Sequence, residues 1–321
     1  MKFGVQLLPQ QVSWSQWRDG WLLVDELGFD SSWSYDHVHA PRGAPESDCF
    51  EGWVGMAALA ALTARAWTGM LVSPVTFRNP GLLVKMATTL DHITNGRSIF
   101  GLGAGWHLNE HQAYGFGFPS PGERVARLAE ALQITHLLWS ADGGPASFAG
   151  SYFQLDGAFC NPPPLQRPHP PILVAGGGPR VVRLVARYAD VYDCWPPLDA
   201  VRERYAALAD ACARLGRPME QITRSLSVDF AWAPSARQRQ EVLEAVARAA
   251  RGGDAAMAQA RLLLGGADEM ARQLEEQQAA GVQQVILHVP SPYNLDGLRR
   301  FASEVLPAFR DAGSPTGRDA G

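Results

Sequence analysis

Short apolar runs rich in β-branched and aromatic residues alternate with amphipathic helical segments along almost the whole chain. This alternation is typical of parallel strands joined by helical crossovers, the α/β class. Eight runs are predicted as strands: Lys2–Leu8, Phe29–Ser34, Trp67–Val75, Arg97–Leu102, Pro171–Ala175, Asp190–Asp193, Arg224–Ala231 and Gln284–Val289. Eight βα units close a (β/α)8 TIM barrel more naturally than an open sheet. We therefore expect a single barrel domain over residues 1–310.

Two segments interrupt the barrel rhythm and are interpreted as insertions. Ala141–Pro170 is rich in Gly, Pro and aromatic residues, and Arg251–Asp268 carries two Gly-Gly pairs. Both are longer than usual connections, and long insertions at barrel ends tend to be lids. We expect them to form the wall of a pocket. Residues 311–321 contain too few apolar side chains to fold and are expected to be disordered.

Two helices carry clear terminal signals. Trp14, Trp17 and Trp21 recur at helical spacing, and Gly28 follows as a predicted left-handed C-cap. Later, Ser120-Pro121-Gly122-Glu123 combines an N-cap serine, a proline at the first helical position and a glutamate three residues on. A helix is therefore predicted to begin at this tetrapeptide.

Composition favours small-molecule chemistry over nucleic-acid or membrane binding. The chain has 321 residues, 46% of them hydrophobic, and a net charge of −4 without a Lys/Arg run. The first residues do not resemble a signal peptide, so none is expected, and no apolar run approaches the roughly 18 residues that span a bilayer. The cysteines are scattered and none forms a CxxC pair: Cys49, Cys160, Cys194 and Cys212. These features indicate a cytoplasmic protein with reduced thiols.

The richest cluster of chemically capable residues follows the fourth predicted strand, in Gly101–Pro121. Because active sites of such barrels lie at the carboxyl ends of the strands, this turn is a candidate site. Trp106 is suited to stack on a ring, and His107, Glu110 or His111 to supply a proton. Solvated loop residues are the alternative interpretation.

Other strand ends carry weaker signals. Asp36 and His37 follow the second strand, where the pair could relay a proton or make a structural hydrogen bond. Thr76 lies in a Pro-containing turn after the third strand, which could hold a planar ligand or simply enter a helix. Trp195 also falls at a strand end. Histidine spacing never matches a metal motif such as HExxH, so no metal site is expected.

The fifth strand ends in a glycine turn that opens a helix, Ala175-Gly176-Gly177-Gly178-Pro179-Arg180. Glycines let backbone N–H groups approach a phosphate at the positive end of a helix, and Arg180 would add charge. The turn lacks the GxGxxG spacing of a dinucleotide-binding unit and the GK[ST] of a P-loop. A tight βα connection is the alternative reading.

Three stretches resemble the luciferase-like flavin and deazaflavin oxidoreductases, closest to the branch that uses coenzyme F420. They are NPxLLxKMATTLDxITxGR, GxGAGWxxxEHxAYGFxFPxxGERxxRLxEALQI and RPHPPILVAGGGPRVVRLVARYAD. The resemblance covers nearly the whole chain and implies a (β/α)8 barrel with insertions. It also implies a non-prolyl cis peptide near Leu71-Val72 in the third strand.

The same resemblance implies roles for the candidate site residues. The cofactor phosphate would lie at Gly176, Gly177, Gly178 and Arg180, and the ring between the third strand and the Asp36-His37 turn. The expected cofactor-binding set is Leu71, Val72, Thr76, Trp106, Ala175, Gly176, Gly177, Gly178, Arg180 and Trp195. The expected catalytic set is Asp36, His37, His107 and Glu110.

One departure from the family pattern concerns the substrate. Members that oxidise sugar phosphates carry a glutamate where this chain has Trp106, and a tryptophan where it has Pro41. The resemblance therefore does not carry sugar-phosphate activity over to this chain.

The leading hypothesis is hydride transfer between coenzyme F420 and a small organic substrate, with His37, His107 or Glu110 handling the proton. The alternative enzyme is a monooxygenase that uses FMN and O₂ and receives reduced flavin from a separate reductase. A third hypothesis is a barrel that binds a ligand without turnover. It does not explain the polar side chains clustered at the strand ends. Barrels of this family commonly form homodimers, but neither the oligomeric state nor the substrate follows from the sequence.

Overall fold

Eight parallel strands close on themselves in the computed structural model, which describes residues 1–250 and 255–310. The strands are β1 (Lys2–Leu7), β2 (Ser31–Ser34), β3 (Trp67–Met70), β4 (Ser73–Pro74), β5 (Ser98–Gly103), β6 (Pro145–Ala149), β7 (Gln154–Phe159), β8 (Ile172–Ala175), β9 (Val191–Cys194), β10 (Thr223–Trp232), β11 (Leu262–Gly265) and β12 (Gln284–Val289). The barrel order is β1-β2-β3-β5-β8-β9-β10-β12, and β12 pairs with β1 to close it. The predicted (β/α)8 barrel is confirmed.

Helices follow the strands and cover the outside of the barrel. They are α1 (Trp14–Glu26), α2 (Gly52–Ala60), α3 (Pro80–Ile93), α4 (Leu108–Ala113), α5 (Pro121–Ser140), α6 (Pro179–Tyr188), α7 (Leu198–Leu215), α8 (Ala236–Ala249), α9 (Ala255–Gln259), α10 (Ala267–Ala279), α11 (Leu295–Glu304) and α12 (Leu306–Phe309), with a 3₁₀ turn at Met219–Gln221. Their apolar faces pack against the outward side chains of the strands, such as Phe3, Val5 and Leu7 of β1. None of the helices in the described ranges is long and apolar enough to cross a membrane.

Both predicted helix signals are confirmed. Gly28 has a φ of +77° just after α1, in the left-handed region that glycine adopts without steric cost. Ser120 accepts a hydrogen bond from the Glu123 backbone N–H at 3.2 Å and caps the first turn of α5.

The third predicted strand is broken in the structure. β3 ends at Met70, the Leu71–Val72 peptide bond is cis, and β4 begins at Ser73. The predicted position of the cis bond is confirmed. Neighbouring backbones approach closely at the break, since a Cβ on Gly101 of β5 would lie 1.8 Å from the Met70 carbonyl oxygen. Only glycine fits at position 101.

The Ala141–Pro170 segment contains the antiparallel hairpin β6–β7, which the sequence analysis did not predict. The segment joins the end of a helix to the start of a strand, so it begins and ends at the amino-terminal end of the barrel. It packs along α3 and α5, where Glu130 accepts hydrogen bonds from the backbone of residues 151–153. The expectation that it walls the pocket is wrong, because none of its residues lines the cavity described below.

The described part of the second predicted insertion, residues 255–268, lies at the carboxyl-terminal end of the barrel. Residues 255–268 contain α9 and the short strand β11, which pairs with β10 and was also not predicted. Met257 and Arg261 line the cavity, in agreement with the expectation for this segment. The predicted disordered tail, 311–321, and the first four residues of the predicted insertion lie outside the described residues.

Trp33 of β2 fills the lower interior of the barrel. Its side chain is fully buried in a cluster with one residue from each of four other strands, Ile99, Leu173, Val191 and Ile286. Trp33 therefore contributes to the interior packing. Two neighbouring strands make room for the indole with glycines, Gly4 and Gly69.

Replacing Gly69 by alanine tests this packing. The new Cβ would lie 2.3 Å from the Trp33 ring, so we expect Gly69→Ala to lower the free energy of unfolding by about 1–3 kcal/mol. Gly117→Ala is the matched control, since its Cβ would meet nothing within 4 Å. Urea unfolding monitored by circular dichroism measures both, and equal midpoints for the two variants would contradict the packing argument.

Candidate active site

A cavity of about 730 Å³ opens at the carboxyl ends of the barrel strands. Its lining comes from the residues that follow most of the strands, including Tyr35–His37, Leu71–Val72, Gly103–Trp106, Ala175–Gly177 and Cys194–Pro197. This volume is in the range of cofactor and small-molecule sites. The sequence argument that the strand ends assemble one site is therefore supported by the geometry.

The floor of the cavity is a polar layer directly above the Trp33 cluster. Because side chains alternate along a strand, the residues two positions beyond the apolar layer also point inward. Asp193 and His288 follow Val191 and Ile286 in this way, and both line the cavity with Gln6 and Ser227. The sequence analysis missed this layer, although the alternation in each strand was readable.

Asp193 is a buried acid on this floor. It is 3% exposed and accepts hydrogen bonds from the hydroxyls of Ser225 at 2.7 Å and Ser227 at 2.9 Å. Burial raises the pKa of Asp193 to about 6 in spite of these two bonds. The carboxyl group therefore changes charge close to neutral pH.

A histidine–carboxylate pair joins two strand-end loops at the cavity. His37, after β2, places Nδ1 2.7 Å from Oε1 of Glu110 in α4, and the backbone N–H of Val38 donates to Oε2 at 3.1 Å. Glu110 is 1% exposed. Burial acts to raise the pKa of Glu110, but the bond and attraction to His37 outweigh it, so the pKa lies below its ordinary value.

The ionised state of Glu110 determines the tautomer of His37. A carboxylate can only accept hydrogen bonds, so Nδ1 of His37 carries the proton between them. In the neutral ring Nε2 is then left as an acceptor, and Nε2 is the atom available to exchange a proton with a bound molecule. The carboxylate also stabilises the charged imidazolium that such an exchange forms.

His107 lies beside this pair rather than on the cavity lining. Its Nδ1 is 3.6 Å from Oε1 of Glu110, and burial lowers the pKa of His107. The ligand atoms of His37, His107 and Glu110 all lie within 4.8 Å of one another, an arrangement that could also hold a metal ion. All three residues were predicted as site residues, but this metal-binding arrangement was not, because His37 follows a different strand from His107 and Glu110. A metal ion there would have to displace the His37–Glu110 hydrogen bond.

Asp36 lines the cavity but is held by a network of its own. Its Oδ2 accepts from Arg78 at 2.6 Å and from the Trp53 indole N–H at 3.2 Å. Arg78 also bonds Glu51 at 2.7 Å. Burial raises the pKa of Asp36, and Arg78 partly opposes this effect. These contacts favour a role in fixing the β2 loop, which was the structural alternative for the Asp-His pair.

Thr76 and His111 form a second anchored pair. The Thr76 hydroxyl lies 2.7 Å from Nε2 of His111, whose Nδ1 donates to the His107 carbonyl oxygen at 2.7 Å. Since both ring nitrogens of His111 are occupied, this residue orients α4. Thr76 does not line the cavity, so its predicted contact with the cofactor is replaced by this support.

The glycine turn after β8 reaches the cavity through Ala175, Gly176 and Gly177. The nearby cation is Arg204 of α7, because a Cβ on Gly177 would lie 2.4 Å from its guanidinium. Arg180 lies beside Gly122 and lines a separate outer groove, and Gly178 is exposed at the start of α6. Arg204 therefore lies beside the glycine turn at the cavity, whereas Arg180, which was expected there, does not.

Trp195 forms part of the opposite wall with two arginines. The guanidinium of Arg261 lies 4.5 Å from the indole centroid, and that of Arg42 lies 5.4 Å from it. Arg42 also bonds Asp229 at 3.3 Å. The sequence analysis found Trp195 but neither arginine, because both belong to irregular loops without a recognisable motif.

The family model described as luciferase-like monooxygenase matches residues 1–292 of this chain. The chain belongs to the luciferase-like monooxygenase family. The resemblance to this family that the sequence motifs indicated is thereby confirmed.

Family relatives include two proteins named F420-dependent glucose-6-phosphate dehydrogenase. The protein from Kineococcus radiotolerans is 30% identical over 97% of each chain. The one from Microbacterium testaceum is 27% identical and covers 97% of this chain and 98% of its own. Among solved structures, an F420-dependent secondary alcohol dehydrogenase in complex with an F420-acetone adduct superposes with a TM-score of 0.86 at 21% identity, over 97% of this chain and 99% of its own. A monooxygenase from Streptomyces bottropensis gives a TM-score of 0.80 at 24% identity, over 97% of this chain and 100% of its own.

The raised pKa of Asp193 predicts that the stability of the fold depends on pH. The pKa of Asp193 is about 6 in the folded protein, and the ordinary value of 3.8 applies to the unfolded chain. Between pH 3.8 and pH 6 the folded protein therefore binds more protons than the unfolded chain. The free energy of unfolding therefore falls as pH rises from about 4 to 6. Asp193→Asn removes this dependence, and we expect it to stabilise the protein at pH 7.5 by at most about 3 kcal/mol.

Urea unfolding at pH 4.5 and pH 7.5 measures this effect. Asp156→Asn is the control, because Asp156 is exposed in β7. A pH dependence in Asp193→Asn equal to that of the wild type would contradict the assignment.

Proposed function

We propose that this chain is an oxidoreductase that transfers a hydride between coenzyme F420 and a small organic substrate. The observation that carries the proposal is the buried Glu110 carboxylate bonded to His37 at the cavity. F420 dependence is printed in the names of relatives that match almost the full length of this chain. The structural likeness to an F420-dependent alcohol dehydrogenase supports the fold of the site.

The residues present fit this cofactor. The glycine turn opens α6, whose first-turn N–H groups attract a phosphate. Arg204 lies against Gly177 and makes no ion pair with any described residue, so its charge is available to the phosphate. The walls near Leu71, Val72 and Trp106 are apolar enough for a planar ring. We propose these residues as the holders of the cofactor, together with Ala175, Gly176 and Trp195.

When bound, the deazaflavin supplies a carbon that accepts or donates hydride. The protein's part is to manage the proton that accompanies it. In the direction of oxidation, Nε2 of His37 takes the proton of a substrate hydroxyl as the carbonyl forms, and Glu110 stabilises the resulting imidazolium. In the direction of reduction, His37 returns that proton to the carbonyl oxygen. Asp36 and His107 serve as positioning residues in this scheme.

We further propose that residues 1–310 form one domain and that the segment with Met257 and Arg261 forms part of the wall of the site. The substrate is proposed to be small, because cofactor and substrate must share the cavity. The four cysteines are unpaired, which supports a reducing compartment such as the cytoplasm.

Binding of the cofactor is the first test. Purified protein is titrated separately with coenzyme F420 and with FMN, and the quenching of tryptophan fluorescence is followed, since Trp106 and Trp195 line the cavity. We expect micromolar affinity for F420 and weaker binding of FMN. Preference for FMN would favour a monooxygenase that uses O₂ and a separate reductase. Binding of neither would contradict both enzyme proposals.

The proton carrier is tested by Glu110→Gln. The amide still accepts the His37 hydrogen bond but cannot stabilise an imidazolium, so we expect kcat to fall by about 10²-fold to 10⁴-fold while F420 binding is retained. The assay follows F420 absorbance with an alcohol or ketone found in a substrate screen. Glu123→Gln, in a half-buried pair with Arg127 away from the cavity, is the control. Unchanged kcat in Glu110→Gln would remove His37 and Glu110 from the mechanism.

The phosphate site is tested by Arg204→Gln. We expect the Kd of F420 to rise by about tenfold, because one charge-assisted hydrogen bond is lost. The same deazaflavin with its ribityl chain but without the phosphate should bind both proteins equally. Arg202→Gln, on the same helix but outside the cavity lining, is the matched control. A similar loss of affinity for the phosphate-free compound would contradict the assignment.

A further inference from the structure

A second groove, of about 450 Å³, lies on the outside of the barrel between α5, α6 and α7. Its apolar floor includes Leu184 and Leu215, and its rim carries four arginines: Arg180, Arg183, Arg187 and Arg214. We call this feature the arginine groove. The mechanism proposed above uses none of these residues.

The arginine groove has no counter-charge of its own. No acidic residue lines it, and none of its four arginines forms an ion pair within residues 1–250 and 255–310. The acids of the adjoining helix α5 are engaged elsewhere, since Glu123 pairs with Arg127 and Glu130 binds backbone N–H groups. Four cations gathered in a chain with a net charge of −4 form a strong local positive potential. Such a surface fits a polyanion.

Helix α6 begins at the proposed phosphate site and runs along the groove. Gly176 and Gly177 line the cavity, Gly178 caps the helix, and Arg180 stands in its first turn. Arg183 and Arg187 follow at spacings of three and four residues, which places them on the same face. At 1.5 Å per residue, the row from Arg180 to Arg187 extends for about 10 Å away from the glycine turn.

We propose that the arginine groove binds the oligoglutamate tail of coenzyme F420. The inference rests on the proposed function, since it takes the phosphodiester of the cofactor to lie at the glycine turn. Beyond that phosphodiester the cofactor carries a lactyl group and a chain of glutamates, each with a free carboxylate. The tail leaves the cavity where the row of arginines begins, and its charges complement theirs.

Other occupants fit the groove less well. A second copy of this chain in a symmetric contact would bring the same four cations face to face, which costs free energy. FMN ends at its phosphate and has nothing to place in the groove. The groove therefore also selects for a long-tailed deazaflavin over a flavin.

The test compares cofactors of different tail length on one double variant. Arg183→Gln/Arg187→Gln removes two charges from the middle of the groove and none from the cavity. We expect the Kd of F420 with five or six glutamates to rise by about threefold to tenfold, the range expected for two exposed ion pairs. F420 without glutamates should bind the variant and the wild type equally. In the wild type, added salt should weaken the long-tailed cofactor more than the tail-free one.

A charge-matched control separates the groove from net charge. Arg237→Gln/Arg299→Gln removes two exposed cations from α8 and α11, and it should leave all affinities unchanged. Equal affinity of the wild type for long and absent tails would overturn this inference while leaving the proposed function in place. Failure of every deazaflavin to bind would overturn both. A changed oligomeric state of the groove variant in light scattering, with unchanged Kd values, would identify the groove as a protein interface and contradict the inference.

Discussion

The buried indole of Trp33 determines which part of the barrel interior is filled by side chains and which part is left as a cavity. It occupies space that Gly4 and Gly69 leave free in adjacent strands, and it completes one apolar layer across the interior. Two residues further along β9 and β12, the inward side chains are polar, Asp193 and His288. The cavity thus begins one layer above a tightly packed base. Ligands enter from the carboxyl ends of the strands because the other end is filled.

Glu110 holds together the polar contacts at this open end. A buried carboxylate needs partners, and it finds them in His37 and in the backbone of Val38, which belong to a different strand end. The bonds therefore fix the tautomer of His37 and tie the β2 loop to α4 at the same time. Thr76 and His111 brace α4 from the other side. One set of contacts therefore sets both the position and the tautomer of His37.

The sequence predicted the eight barrel strands because each is an apolar run bounded by turns, and it located Asp36, His37 and Glu110 because they follow such runs. It missed the hairpin β6–β7 and the strand β11, whose glycines and short length hide the periodicity. Arg180 was misplaced since the direction of a first-turn side chain depends on how α6 packs. Arg204 was missed because α7 approaches the glycine turn only in three dimensions.

Trp106 stands at the mouth of the cavity with 64% of its surface exposed, beside the rings of His37 and His107. A large indole so open to water carries an ordered hydration layer that a planar ligand would displace on stacking. Burial of apolar surface lowers heat capacity, whatever the balance of enthalpy and entropy. Binding of a ligand against Trp106 should accordingly carry a negative heat-capacity change, to which the indole is a principal contributor. A van't Hoff plot of the binding constant should therefore be curved rather than straight.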